Sequence, residues 1–166
     1  MHLTYIPFDK ENTSHHTLLE ELILPYAQEL DAHANRQTPT EVLKKWVQSI
    51  IRIHGDADRH LEFCYDGDAL VGFLYGKVDH ADHRGFVKVG WGYVMEFYVL
   101  PTQRRKGYGK EMYARLESMF LQDGAKQLYL TSDPVTGKPF WTAMGFVPTG
   151  ELSSENKMEI YQKELK

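Results

Sequence analysis

Apolar residues recur at three- and four-residue spacing in some stretches of the chain and alternate with polar ones in others, and these two periods predict its helices and strands. A first short strand is expected at residues 3–7. A helix follows over residues 14–35, with Leu18, Leu22, Ile23, Tyr26 and Leu30 as apolar positions and Pro25 as a point of kinking. Thr40 and Glu41 after Pro39 open a second helix, which runs through Val42, Leu43, Trp46, Val47, Ile50 and Ile51 and ends near Gly55. Residues 60–65 and 69–78 form a hairpin joined through Asp66-Gly67-Asp68. After a polar loop at residues 79–85, a long central strand is expected over residues 86–100, weakened where Gly90 and Gly92 flank Trp91. Met112, Tyr113, Leu116, Met119 and Phe120 place a third helix at residues 110–122, and residues 126–131 read as a strand. Two more strands, at residues 146–150 and 158–163, end the chain.

The segment that carries chemistry is Met-Glu-Phe-Tyr-Val-Leu-Pro-Thr-Gln-Arg-Arg-Lys-Gly-Tyr-Gly-Lys, residues 95–110. Its strand stops at Pro101, which has no N–H for a ladder, and its glycines lead into a helix. The first N–H groups of a helix lack intrahelical partners and face the positive end of its dipole. Glycines there let an anion approach the backbone, and Arg104, Arg105, Lys106 and Lys110 add charge, so the loop is expected to hold a phosphate. It has neither the Gly-Lys-Ser/Thr of a P-loop nor the third glycine of a dinucleotide fingerprint.

Arg104-x-x-Gly107-x-Gly109 after a strand ending in Val-x-Pro resembles the acyl-CoA pyrophosphate loop of the GNAT superfamily of N-acetyltransferases. About thirty residues on, Phe140-Trp141-x-x-x-Gly145-Phe146 resembles that family's aromatic helix and Gly-Phe pair. The resemblance spans roughly residues 95–146. It implies a mixed α/β fold with a mostly antiparallel sheet, in the order strand, two helices, three strands, helix, strand, helix and strands. It also implies acetyl transfer from acetyl-CoA to an amine. The pantetheine arm would lie along Phe97, Tyr98 and Val99, with the pyrophosphate on Arg104, Arg105, Lys106, Gly107, Tyr108, Gly109 and Lys110. A backbone N–H near Tyr98 or Val99 would polarise the thioester oxygen, on which charge grows in the transition state.

An alkylammonium has a pKa of about 10.4, so the acceptor needs a base or a desolvating site. Glu96 is the leading candidate base, with an outward solvated carboxylate as the other outcome of strand alternation. Many members of the family carry a tyrosine four residues before the glycine of Gly-Phe as proton donor to the thiolate; here it is Trp141, which can donate a hydrogen bond but is no useful acid. Tyr98, Tyr108 or water would then serve, and Phe140 and Trp141 become packing or cofactor-wall residues. The family's frequent asparagine after the fifth strand is also replaced, by the Ser132-Asp133-Pro134 region.

Composition narrows the picture further. A chain of 166 residues with 42% hydrophobic side chains suits one domain, residues 1–166, that buries its core without metals or disulfides. The single cysteine, Cys64, lies in a strand-like run and favours a reducing, cytoplasmic setting. No membrane-length apolar stretch or signal-peptide pattern is present, so a soluble, unexported protein is expected. A net charge of −4 argues against a nucleic-acid partner bound through a broad basic face. The histidine-rich runs at residues 54–60 and 79–83 lack metal-ligand spacing, and no metal is expected. Asp79 and Asp82 remain candidates for attracting a cationic amine, with His80 or His83 as a substitute base.

The absence of a Gly-x-Ser-x-Gly elbow or a cysteine motif favours direct transfer over an acyl-enzyme. Two alternatives stand beside it: a catalytically inactive acyl-CoA sensor or regulatory domain, for which Trp141 is the argument, and a protein that holds a different phosphate ligand. The acceptor has no motif, and the family admits a homodimer for which the sequence supplies no interface.

Overall fold

The computed structural model describes residues 2–55 and 58–166. Strand β1 (Thr4–Pro7) leads into helices α1 (Thr13–His33) and α2 (Thr40–Ile53). Strands β2 (Arg59–Asp66), β3 (Ala69–Val78) and β4 (Gly92–Val99) follow. Helix α3 (Tyr108–Gln122), strand β5 (Gln127–Thr131), helix α4 (Gly137–Ala143) and strands β6 (Val147–Leu152) and β7 (Glu159–Glu164) complete the expected order. The strands form one seven-stranded sheet in the order β1-β2-β3-β4-β5-β7-β6, antiparallel except between β4 and β5.

Two apolar layers cover the sheet. On one side Leu19, Ile23, Val47 and Ile50 from α1 and α2 pack on Phe63, Phe73 and Tyr75. On the other, Met112, Leu116 and Phe120 from α3 pack on Val71, Leu74, Val94 and Leu128. These are the stripes that the three- and four-residue spacing placed on one face of each helix. Asn12 caps α1 by accepting from the Ser14 and His15 amides, which starts the helix one residue earlier than its apolar pattern does.

Strand β4 is shorter than its apolar run. Residues 86–91 turn around Asp79: its N–H donates to the Trp91 carbonyl, its carbonyl accepts from Gly90, and its carboxylate accepts from the Lys88 amide at 2.8 Å. Bonds made to one residue in a turn are unavailable to a ladder, so the strand begins at Gly92.

Two features of β4 make the site. Tyr75 pairs with Glu96 but Gly76 with Val94, so Met95 is a bulged extra residue. In addition, β4 pairs with β5 only at Gly92 and Tyr93. Beyond Tyr93 the two parallel strands share no ladder, which leaves an open β4 edge.

Candidate active site at the β4 and β5 divergence

A cavity of about 780 Å³ opens where β4 and β5 part. Strand β4 forms its seam, and alternation along β4 gives the cavity two unlike walls. Phe97 and Val99 point into the layer of α3 and α4, whereas Met95 and Tyr98 point into that of α1 and α2. The Met95 bulge shifts the phase, so Met95 and Glu96 both face α1, and Glu96 meets Tyr26 there. Regular alternation would have put one of them on the opposite face.

The α3 wall offers mainly backbone. Gly107 caps α3 at a φ of 85°, with no side chain satisfying the first amides, and Arg105 also lies in the left-handed region at 64°. At Gly109 an added Cβ would stand 2.9 Å from the Phe140 ring, so glycine is what lets α4 approach the loop. Phe97, Phe140 and Trp141 pack edge-to-face or tilted with centroids 4.8–5.6 Å apart, and the Trp141 ring is buried against Tyr113 and Phe146. The Leu100 N–H donates to Val71 on β3, and strand geometry then turns the Tyr98 amide toward β3 and the Val99 amide toward the open edge. Of the two amides considered from the sequence, Val99 is the one facing the cavity.

The loop cations divide. Arg104 is held by Glu29 through two bonds of 2.7 Å, and its Nε donates to the Val99 carbonyl at 2.9 Å. The pairing lowers the Glu29 pKa and raises that of Arg104. Arg105 and Lys110 line the cavity, while Lys106 does not and donates instead to Gln103. Tyr108 lines the cavity, but its hydroxyl donates to Asp66 at the end of β2.

The α1 wall is made of side chains. Tyr26 donates to Glu96 at 2.5 Å. Burial pushes the Glu96 pKa up to about 7, only partly countered by that bond. Glu96 keeps an accessible face toward the cavity while the surrounding layers remove bulk water from it. Burial likewise raises the Tyr98 pKa, and the phenol stays protonated near neutral pH. At the far end His33 Nδ1 lies 3.0 Å from Asp133. Burial works to raise the Asp133 pKa, but hydrogen bonds from Thr136, Val135 and Gly137 outweigh it and hold the group at about 2.

The structure brings Glu96, Tyr98 and most of the loop to one cavity; sequence reasoning offered Tyr26 as core or as part of an acceptor pocket but did not foresee the contacts that Glu29 and His33 make there. Tyr26, Glu29, Leu30 and His33 follow the i, i+3, i+4, i+7 pattern, so Glu29 and His33 were legible as polar interruptions of an apolar stripe. The β3–β4 loop does not join them. None of Asp79, His80, Asp82 and His83 lines the cavity. Asp79 is fully buried, 3.2 Å from the Lys77 ammonium and accepting from the Tyr129 hydroxyl, and His80 pairs with Asp58. The first histidine-rich run includes Asp56 and Ala57, which lie outside the described residues. Among the described residues no group of three or more His, Cys, Asp or Glu is placed to hold a metal, and no helix is long and apolar enough to cross a membrane.

Comparison with known proteins bears on the whole arrangement. The chain resembles, at 15% identity over 99% of each chain and a TM-score of 0.69, the PaiA N-acetyltransferase of Thermoplasma acidophilum, solved in complex with coenzyme A. A GNAT-family acetyltransferase of Staphylococcus aureus gives 15% identity and a TM-score of 0.74 over 99% of this chain and all of that one. An acetyltransferase of Thermus thermophilus gives 18% and 0.72 over 99% and 98%. No curated protein matches the sequence. These likenesses establish the fold, and the model of the acetyltransferase (GNAT) family matches residues 18–146, from α1 through the Gly-Phe pair. The chain therefore belongs to the GNAT acetyltransferase family, whose acyl donor is acetyl-CoA.

Proposed function

We propose that residues 1–166 form one acetyl-CoA-dependent N-acetyltransferase domain that passes the acetyl group directly to an amine in a ternary complex. The observation that carries this reading is Glu96, a carboxylate with a pKa near 7, at the seam between a wall suited to a pyrophosphate and a wall of side chains.

The residues present fit the donor. The open β4 edge takes an amide-bearing arm as an added strand, and the uncapped α3 amides, with Arg105 and Lys110, take the pyrophosphate. The Val99 amide donates to the thioester oxygen as charge grows there. Glu96 accepts a proton from the ammonium of the acceptor, and the freed amine forms the C–N bond as the C–S bond breaks. The Tyr98 hydroxyl gives a proton to the thiolate and is restored by the second proton that the nitrogen sheds as the amide forms, while Glu96 releases the first to solvent. With an ordinary thiol pKa near 8.5 that group leaves readily, so Trp141 in place of a tyrosine does not stop the reaction.

The described residues lining the cavity include no cysteine and no serine. Cys64 is buried elsewhere, and burial raises its thiol pKa. Direct transfer therefore has a base, and the described lining offers no cysteine or serine to compete with it. Initial rates of thiol release, with acetyl-CoA and amine varied together, test it. Intersecting double-reciprocal lines are expected. Parallel lines would indicate an acyl-enzyme, and acetyl-CoA binding with no amine-dependent release would leave a sensor domain.

A further inference from the structure

The wall formed by α1 and α2 has a charge pattern that selects among amines. Three carboxylates line the cavity: Glu29, Glu96 and Asp133. Glu29 is taken by Arg104, and Asp133 by His33, the Thr136 hydroxyl and three turn amides. Glu96 has only the Tyr26 hydroxyl, so among the described lining residues it is the one carboxylate whose hydrogen bonding is limited to a single phenol. The guanidinium groups on this side are engaged, Arg104 with Glu29 and Arg36 with Asp31 at 2.9 Å, and the His33 ring is hydrogen-bonded to Asp133. Arg105 and Lys110 belong to the phosphate loop across the seam.

Most of the remaining surface is apolar or aromatic, and the polar Thr131 and Asn156 that also line the cavity are bonded to each other at 3.0 Å. Leu30, Trp46, Met95 and Met158 line it together with the rings of Tyr26 and Tyr93. Met95 is there because of the β4 bulge, and Trp46 is half-buried on α2 with its polar neighbours turned to solvent.

We propose that the acceptor is a lipophilic primary monoamine: one ammonium on an aryl or alkyl body, with no carboxylate and no second cation. This rests on the amine-transfer reading above and deepens it. Glu96 answers the single ammonium, and the aromatic faces favour the cation and the apolar body alike. An amino acid would bring a carboxylate to a wall where each guanidinium is already paired, leaving a buried charge uncompensated. A polyamine would bring a second ammonium with no second free carboxylate to meet it.

The experiment uses the full wild-type chain and two readouts. Calorimetry follows 2-phenylethylamine titrated into protein saturated with CoA, and thiol release from acetyl-CoA is compared for 2-phenylethylamine, phenylalanine and spermidine. Phenylalanine has the same body as 2-phenylethylamine plus a carboxylate. The expected result is binding of 2-phenylethylamine, with kcat/KM roughly tenfold or more above that of either competitor. Trp46→Ala should raise KM for 2-phenylethylamine several-fold at unchanged acetyl-CoA affinity, and Trp46→Phe should restore most of the loss. Phenylalanine or spermidine used as well as 2-phenylethylamine would overturn the class while leaving amine transfer standing. Failure of 2-phenylethylamine to bind would overturn the class on its own. Binding without thiol release from any amine would instead overturn the transfer reading and support the proposed pocket chemistry.

Discussion

The cavity wall facing α3 and α4 is built largely from backbone, and the wall facing α1 and α2 from side chains. The first presents uncapped amides, an open strand edge and a glycine at closest approach. The second presents Glu96, Tyr26, Trp46 and Met95, with Glu29 paired to Arg104 and Asp133 filled by hydrogen bonds. Backbone recognition suits a donor with the same phosphates and amides in every turnover, because its geometry does not depend on which side chains surround it. Side-chain recognition suits an acceptor, whose charge and shape can be changed residue by residue. Strand β4 serves both walls at once: ordinary alternation gives Glu96 to one wall and Phe97 to the other, and the bulge adds Met95 to the side of Glu96.

The largest expected break in this division is Glu96→Gln. Loss of the base should lower kcat/KM for the amine by about 10²- to 10⁴-fold, with acetyl-CoA affinity unchanged by calorimetry. Because the Glu96 pKa lies above its usual value, the basic form grows in as pH rises through about 7, and wild-type kcat/KM should rise over the same interval. The stability consequence has the opposite sign. A raised carboxylate pKa favours the neutral form in the fold, so its contribution is present below the unfolded value of 4.5 and is lost as pH rises through about 7. Thermal melts above pH 7 should therefore show no destabilisation in Glu96→Gln.

Next in size is Gly109→Ala on the backbone wall. Its Cβ would meet Phe140 at 2.9 Å, an overpacking of about 1–2 kcal/mol, so acetyl-CoA should bind roughly tenfold more weakly by calorimetry. Selectivity among amines should not change. Tyr26→Phe sharpens the comparison from the other side. The Tyr26 bond lowers the Glu96 pKa, so its loss should move the acidic limb of the kcat/KM profile upward and leave acetyl-CoA affinity alone.

The smallest effect is expected at Arg104. A phosphate ligand in this position would lose affinity on substitution, but here the guanidinium is spent on Glu29 and Val99. Arg104→Met should cost about 1 kcal/mol, seen as a few degrees in Tm, because both partners are part-exposed. Arg105→Ala and Lys110→Ala should instead weaken acetyl-CoA binding, most clearly at low salt.

The features legible in the sequence depend on local signals. Gly107, Gly109 and Pro101 constrain the backbone where they stand, and the spacing of Met112, Leu116 and Phe120 fixes which face of α3 is buried. Whereas α4 was expected only from the family resemblance, the strands, the first three helices and the phosphate-type loop followed from such signals. The start of β4 did not, because the apolar residues 86–91 are captured by hydrogen bonds to Asp79, nine or more positions away along the chain. The side-chain wall was hidden for a related reason. A bulge has no residue signature at Met95, and the pairs Tyr26–Glu96, Glu29–Arg104 and His33–Asp133 join residues 70 to 100 positions apart. Strand alternation alone left two outcomes for Glu96, and its bond from Tyr26 on α1 shows the inward one.

The most direct test of Glu96 as the base at the seam is thiol release by wild type and Glu96→Gln at saturating acetyl-CoA between pH 5.5 and 9, run with calorimetry of acetyl-CoA on both proteins. Equal affinity for acetyl-CoA is expected, with a wild-type rate that rises through about pH 7 and a variant that is nearly inactive at every pH. A variant that keeps wild-type turnover and the same pH profile would remove Glu96 from the chemistry and contradict the division of the cavity at β4.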